Sequence, residues 1–194
     1  MIKLPLFPLN LILLPYEYLP LHIFEPRYKR VIKNAIEKNI AFGIILSQGD
    51  GVFTKGVRVA ITEVLKEYKN GEYDILVKGK ELFNVISTDM DGDTVIGKIE
   101  YIPITMESDD VYFQEVQDAY LKVLLKLGVD KNFDFHLGKK ISYEFLQELE
   151  LPISMKKDLM NIDNESDRLF FIKKIFNQII DLKIKPKTGN IPEA

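Results

Sequence analysis

Several stretches of this sequence place residue types at spacings that chemistry uses. Gly92-Asp-Thr-Val-Ile-Gly97-Lys98 matches the G-x-x-x-x-G-K core of a phosphate-binding loop. Such a loop needs Ser or Thr next, to hold magnesium, and a run that leaves a strand to open a helix. Here Ile99 follows and the run leads into a strand pattern, so a hairpin turn is the better reading. Asp89, Asp91, Asp93 and Glu100 occupy positions 1, 3, 5 and 12 of a calcium loop. Position six must be glycine for the sharp turn and is Thr94, between flanks that alternate like strands. A solvated acidic turn accounts for these residues, with room for weak adventitious calcium binding at most.

Ser154-Met-Lys-Lys157 satisfies S-x-x-K, and Lys187-Thr-Gly189 mimics the K-T-G of penicillin-recognising enzymes. There K-T-G lies on a core strand far downstream; here it falls in a polar tail about thirty residues on, with no S-D-N between. The two histidines, His22 and His136, cannot form a metal site alone. His22, between Leu21 and Ile23, reads as a satisfied, half-buried structural histidine. No Ser/His/Asp triad is visible. Zero cysteines exclude disulfides, thiolate nucleophiles and zinc–thiolate sites. The residues call for no catalyst, no cofactor and no metal.

What remains is FEPRYKR, Phe24–Arg30. Glu25 favours the amide-rich start of a helix, and Arg27 offers a planar fork to a carboxylate or to carbonyls. The structural reading of Glu25, Pro26, Arg27 and Tyr28 is that the charged pair ties this helix to the rest of the fold. It is preferred to a ligand contact, because such pairs more often fix structure.

The elements that position these residues fall into two regimes, strand-like up to about residue 106 and helical beyond. LPLFPLNLILLPYEYLPLHIFEPRYKR, residues 4–30, is apolar but cut by prolines. Pro5, Pro8, Pro15 and Pro20 break any helix, so the stretch is neither a signal peptide nor a membrane span. Ile2–Pro5 and Leu11–Leu14 read as short buried strands. Pro26–Lys38 has helical spacing with proline in its first turn. Ala41–Leu46 is a strand, followed by the glycine-rich loop Ser47–Gly51. Gly56–Tyr68 alternates as a half-buried strand, and Lys69-Asn-Gly71 signals a hairpin. Tyr73–Ser87 returns with Gly79 as a bulge or barrel corner, and Thr94–Ile104 follows. Long strands with glycine bends favour a barrel.

From Ser108 the period is 3.6, with a stripe from Phe113 to Leu127 ended by Gly128. Further helices are expected over Ile141–Leu149, Ser154–Met160 with Ser154 as N-cap, and Asn164–Leu182. They should pack as a small bundle. The expected division is residues 1–106, 107–182 and a loose tail over 183–194. A formal charge of −3, 46% hydrophobic and 28% charged residues describe an ordinary soluble protein with no global pull toward nucleic acid or lipid. A reducing cytoplasm is the expected location.

In sum these pieces resemble a family. Pro5–Pro15 (PLFPLNLILLP) and Leu19–Tyr28 (LPLHIFEPRY) look like the start of the amino-terminal, substrate-recognition domain of Lon proteases. Gly56–Val64 and Tyr73–Ile86 resemble that family's next strands, and ELELPISMKKDLMNIDNESDRLFFI (Glu148–Ile172) resembles its helical end. The resemblance covers residues 3 to 182. It implies an α+β fold, with a PUA-like β-barrel followed by a small α-helical bundle. A full Lon protease adds an ATPase module and a serine–lysine peptidase, for which 194 residues leave no room. The resemblance therefore implies the recognition domain alone, non-catalytic and without cofactor; whether a separate protease or ATPase uses it in trans is left open.

The expected function is binding of exposed apolar or extended protein segments at an apolar groove or unpaired strand edge. Tyr16, Tyr18, Leu19 and Phe24 are the candidate contacts; core filling competes for all four and is preferred for Phe24. The alternative is RNA binding, as PUA-like barrels elsewhere bind RNA. It would require a basic face and a steep salt dependence, which the acidic balance of the chain argues against.

Overall fold

The computed structural model describes residues 2–48, 51–104, 110–129, 133–147 and 149–182. The centre of the Ser47–Gly51 loop, the helix start expected at Ser108, and the tail with Lys187-Thr-Gly189 lie outside the described residues.

Prolines 5 and 8 sit inside a strand, and the pairing shows why it tolerates them. Strand β1 (Ile2–Leu9) lies beside β3 (Phe42–Gln48), parallel, and β6 (Thr94–Tyr101), antiparallel. The two ladders are staggered: Ile2–Leu6 pair with β6, and Leu6–Leu9 pair with β3. Each proline thus has one unpaired side, where a missing N–H costs no ladder bond. The strand runs four residues beyond the expected Pro5.

Strands β2 (Tyr18–Ile23), β4 (Gly51–Glu67) and β5 (Tyr73–Asp91) complete a sheet ordered β2-β5-β4-β3-β1-β6, with β5 also paired to β6. That last pairing closes β1, β3, β4, β5 and β6 into the expected barrel. The length of β5 makes closure possible. One edge holds β4; the other holds β2 along 73–78 and β6 along 83–91. Three register shifts in the β4–β5 ladder supply the bending that closure needs.

Leu11–Leu14 is not a strand. Ile12, Leu13 and Leu14 are buried in an irregular segment. The Leu14 amide donates to the Glu17 carboxylate at 2.8 Å, and the Ile12 carbonyl accepts from Lys156 at 3.4 Å. Side chains supply what a ladder would have supplied. The second strand lies further on, at Tyr18–Ile23, carrying Pro20 in the terminal strand of the sheet.

Gly79 accommodates this corner. Tyr16 N–H donates to its carbonyl and its own N–H donates to Glu17 O, both at 2.9 Å. A Cβ on Gly79 would stand 2.2 Å from Leu14 O. The expected bulge is there, since the β4–β5 register slips between Val57 and the Val59–Gly79 pair.

Helix α1 (Pro26–Lys38) begins with Pro26 as expected and buries Tyr28, Val31, Ile32 and Ala35. Beyond the barrel come α2 (Asp110–Leu127), α3 (Phe133–Leu137), a 3₁₀ turn (Ser142–Leu146), α4 (Ile153–Asn161) and α5 (Glu165–Asp181). Helices α2 and α5 pack together, with the Tyr120, Phe145 and Phe176 rings meeting at centroid distances of 5.1 to 6.4 Å. One cluster of buried side chains runs from Phe7, Val57 and Ile75 to Tyr120 and Phe176. Gly128 ends α2 at φ 68° as expected, and Asn164 caps α5 through Asp167 N–H.

Short helix α3 lies where the sequence signals no element, and two local expectations fail. Pro152, not Ser154, is the N-cap of α4. Within the helix expected over Ile141–Leu149, Ser142–Leu146 forms a 3₁₀ turn, and its polar groups are claimed from outside. Ser142 donates its N–H and hydroxyl to Glu165 at 2.6 and 2.7 Å. Arg168 donates to Glu165 at 2.8 Å, to Ser142 Oγ at 3.1 Å and to the Ile162 carbonyl at 2.7 Å. Glu165 and Arg168 are 1% and 2% exposed. Beside them, burial pushes the Tyr143 hydroxyl up to about 12.

Two outcomes follow for urea denaturation. Gly79→Ala should destabilise by about 1–3 kcal/mol through overpacking against Leu14. Glu165→Ala should cost about 3–5 kcal/mol, since it leaves the Arg168 charge buried and unpaired. A midpoint unchanged in either variant would contradict the corresponding contact.

Candidate functional site

Among the described residues, β2 pairs with one strand only, β5. Beside its first residues lies a groove of about 490 Å³ between the barrel and the helical part. Leu11, Tyr18 and Leu19 line it from the barrel side, and Leu149 and Leu151 from the other. At its base Lys156 of α4 meets the Glu17 carboxylate at 2.8 Å, with Glu17 6% exposed. Gln147 reaches across from the 3₁₀ turn and donates to the Tyr16 carbonyl at 2.9 Å. The groove thus sets leucine and tyrosine side chains beside polar ones: Glu17, Lys156 and Gln147 are paired at its base, and the exposed Glu150 also lines it.

The structure brings three of the four candidate contacts together. Tyr18 is 52% exposed at the groove, and Leu19 is half-buried there. Tyr16 is half-buried next to them, and burial raises its hydroxyl pKa. Its backbone stands at φ 70°, a conformation uncommon for a non-glycine residue. Bonds from Gln147 and Gly79 hold that turn. The Lys78 ammonium lies 4.8 Å from the Tyr18 ring centre and 5.7 Å from that of Tyr16, within cation–π range of both.

Phe24 stands apart at the far end of β2. The core reading preferred for it is wrong: Phe24 is 59% exposed, stacked on His22 at 5.9 Å between centroids. His22 is also more open than expected, with 51% of its side chain exposed. Its Nδ1 bonds Asp74 Oδ1 at 2.7 Å, and Tyr68 donates to Asp74 Oδ2 at 2.7 Å. These two bonds hold the Asp74 carboxyl below the usual carboxylate range.

Glu25 and Arg27 do not bridge α1 to the barrel. They bond each other, at 2.8 Å from Nε and 2.7 Å from Nη2. Glu25 occupies the N-cap position without capping through its side chain. The helix is tied to the barrel elsewhere: Tyr28 packs on Phe7 at 4.1 Å, and Arg30 donates to the Asp91 carbonyl at 3.1 Å. His136 is buried and bonds the Tyr120 hydroxyl at 2.8 Å.

A wider cavity of about 1100 Å³ lies between α1 and the β4–β5 hairpin, near Lys29, Lys33, Ile36, Glu67 and Tyr73. Its charges largely answer one another, as Lys29 meets Glu72 at 3.4 Å and Lys33 meets Glu37 at 3.9 Å. Sequence reasoning found neither this cavity nor Lys156, Gln147 and Leu149 of the first groove. No local pattern marks them, since the chain brings them together across more than a hundred positions. Among the described residues no cluster of His, Cys, Asp or Glu could hold a metal ion, and no helix is long and apolar enough to cross a membrane.

A closed barrel with one extra edge strand, joined to a helical part across a groove, is an architecture found in known proteins. Residues 3–181 match the family model of the ATP-dependent protease La (LON) substrate-binding domain. The chain belongs to this family of Lon substrate-binding domains. A Lon protease of Parabacteroides distasonis is 25% identical over 203 residues, covering 93% of this chain and 24% of the relative. The chain thus spans about a quarter of the length of that curated relative. The crystal structure of a Lon N-terminal domain protein from Xanthomonas campestris superposes with TM-score 0.68 at 21% identity, covering 88% of this chain and 96% of the other. The N-terminal domain of a Mycobacterium avium complex Lon protease gives TM-score 0.73 at 16% identity, covering 90% and 98%.

The Asp74 carboxylate provides a test of the β2 surface. Its lowered folded pKa contributes stability that is present above the unfolded carboxylate range and is lost as pH falls through the folded value. His22→Asn removes the largest cause, so NMR titration should find Asp74 protonating at higher pH in the variant. An unmoved titration would show that the His22 contact does not hold in solution.

Proposed function

We propose that this chain recognises extended, apolar segments of other proteins along the open edge of β2, with one or more side chains seated in the neighbouring groove. The observation that carries the reading is the position of that groove. Its leucine-lined walls meet a strand whose only described ladder is to β5, so backbone bonds and side-chain burial are available to the same ligand. Backbone pairing tolerates many sequences, and the pocket selects for apolar content. Membership in a substrate-binding family supports this reading. On the same reading the domain is not itself a catalyst, and a protease or ATPase acts on what it holds. Tyr18 supplies exposed aromatic area at the rim, while Tyr16 and the Glu17–Lys156 pair shape the base.

The test is fluorescence anisotropy with a labelled, permanently unfolded protein fragment rich in leucine and aromatic residues. Binding should resist salt, and Tyr18→Ser should weaken it by about tenfold or more, as for an aromatic anchor at an interface. No binding by the wild-type chain, or equal binding by the variant, would refute the site. Binding of a single-stranded RNA oligonucleotide in its place, released steeply by salt, would replace the reading altogether.

A further inference from the structure

Backbone hydrogen bonds in an antiparallel pair fall on alternate residues, so one bond fixes which edge of β2 each residue serves. Gly79 N–H donates to the Glu17 carbonyl at 2.9 Å, and the register then runs from Tyr18–Lys78 to Ile23–Tyr73 without a shift. Leu19, Leu21 and Ile23 therefore turn their N–H and C=O toward β5. Tyr18, Pro20 and His22 turn theirs to the opposite edge. A second bond agrees with this phase. The Leu76 carbonyl, opposite Pro20, accepts from the Thr62 hydroxyl of β4 at 3.0 Å, so it points away from β2. Among the described residues no strand takes up the outer edge of β2.

That edge is unlike a regular one. Tyr18 and His22 each offer a donor and an acceptor, but Pro20, between them, offers an acceptor alone. Around it the stretch Tyr18–Phe24 (YLPLHIF) contains no Asp, Glu, Lys or Arg. An open strand this apolar and uncharged invites pairing with its own copy, and an edge proline is one of the few devices that prevents it. Two copies meeting antiparallel must align outward residues with outward residues. Every such register with more than one bonded pair includes Pro20. The most extensive one sets Pro20 against Pro20, a pair with no donor and with two rings where hydrogens would lie.

We propose that Pro20 is the specificity-determining residue of this edge: it bars a second copy of the chain and leaves the edge to an extended segment of another protein. Such a segment brings its own N–H at each position. It donates to the Tyr18, Pro20 and His22 carbonyls and accepts from the Tyr18 and His22 amides. It thus forgoes a single bond, where a second copy forgoes the whole central pair. Use of the edge by a foreign segment rests on the recognition reading above; the block on self-pairing does not.

Amide hydrogen exchange on the wild-type chain reads the edge directly. Tyr18 and His22 should exchange about tenfold or more faster than Leu19 and Leu21; protection in the reverse order overturns the proposal. Sedimentation velocity then compares the wild type with Pro20→Thr, which restores the donor and removes no bond to β5. Unchanged protection of Leu19 and Leu21 verifies its fold, and Pro20→Ala gives the same comparison with a smaller side chain. Both variants should self-associate at concentrations about tenfold or more below the wild type, with Tyr18 and His22 amides becoming protected as they do. Variants that stay monomeric, or a wild-type dimer that protects these two amides, overturn the proposal. A final arm uses the unfolded fragment rich in leucine and aromatic residues, below the concentration of self-association. Pro20→Thr should hold it about two- to tenfold more tightly than the wild type, through one added backbone bond. Self-association of the variants with no fragment bound by any chain supports the block and sinks the recognition reading. Fragment binding without self-association of the variants overturns the block and leaves that reading standing.

Discussion

The Glu17 carboxylate joins the two parts of this protein. It accepts the Leu14 amide, which has no strand partner, and it faces the ammonium of Lys156, 139 positions later in the chain. Its own carbonyl accepts from Gly79. One residue thereby fixes the turn before β2, the placement of α4 against the barrel, and the base of the groove. A buried ion pair adds little net stability over an apolar replacement, but losing one partner costs about 3–5 kcal/mol. Losing either partner would therefore loosen the base of the groove, where the pair joins the two parts.

A second carboxylate repeats the device within the helical part. Glu165, at the start of α5, takes both polar groups of Ser142 and is itself held by Arg168. In both places an acid satisfies backbone that regular structure leaves unpaired. This allows Leu11–Leu14 and Ser142–Leu146 to be buried without a continuous ladder or helix. Both irregular segments flank the groove, the first through Leu11–Leu13 and the second through Gln147, which follows it. Departures from regular structure thus concentrate where the two parts meet.

The aromatic residues divide by depth. Phe7, Phe42 and Tyr28 pack α1 against the barrel, while Tyr120, Phe145 and Phe176 centre the helical part. Tyr18 and Phe24 remain open at opposite ends of β2. The face carrying Tyr18, Pro20, His22 and Phe24 is exposed along the whole strand, and its only described ladder is to β5. On the reading proposed above, that combination makes β2 the edge offered to another chain.

Alternation in Gly56–Tyr68 and Tyr73–Ser87, the Asn-Gly turn between them, and the helical stripes of α1, α2 and α5 were legible in the sequence, because local spacing decides which face of an element is apolar. The proline-rich start was legible as chain entering a sheet. Its register was not, because tolerance of Pro5 and Pro8 depends on which neighbour leaves each position unpaired. Phe24 could not be assigned to surface or core from its flanks, and the partner of Glu25 could not be chosen, since either neighbour offered sound chemistry. The amino-acid order alone determined the long strands, the helices with an apolar stripe and the family resemblance. The staggered ladders, the Glu17–Lys156 joint and the groove were decided only by tertiary structure, because each depends on groups brought together from distant parts of the chain.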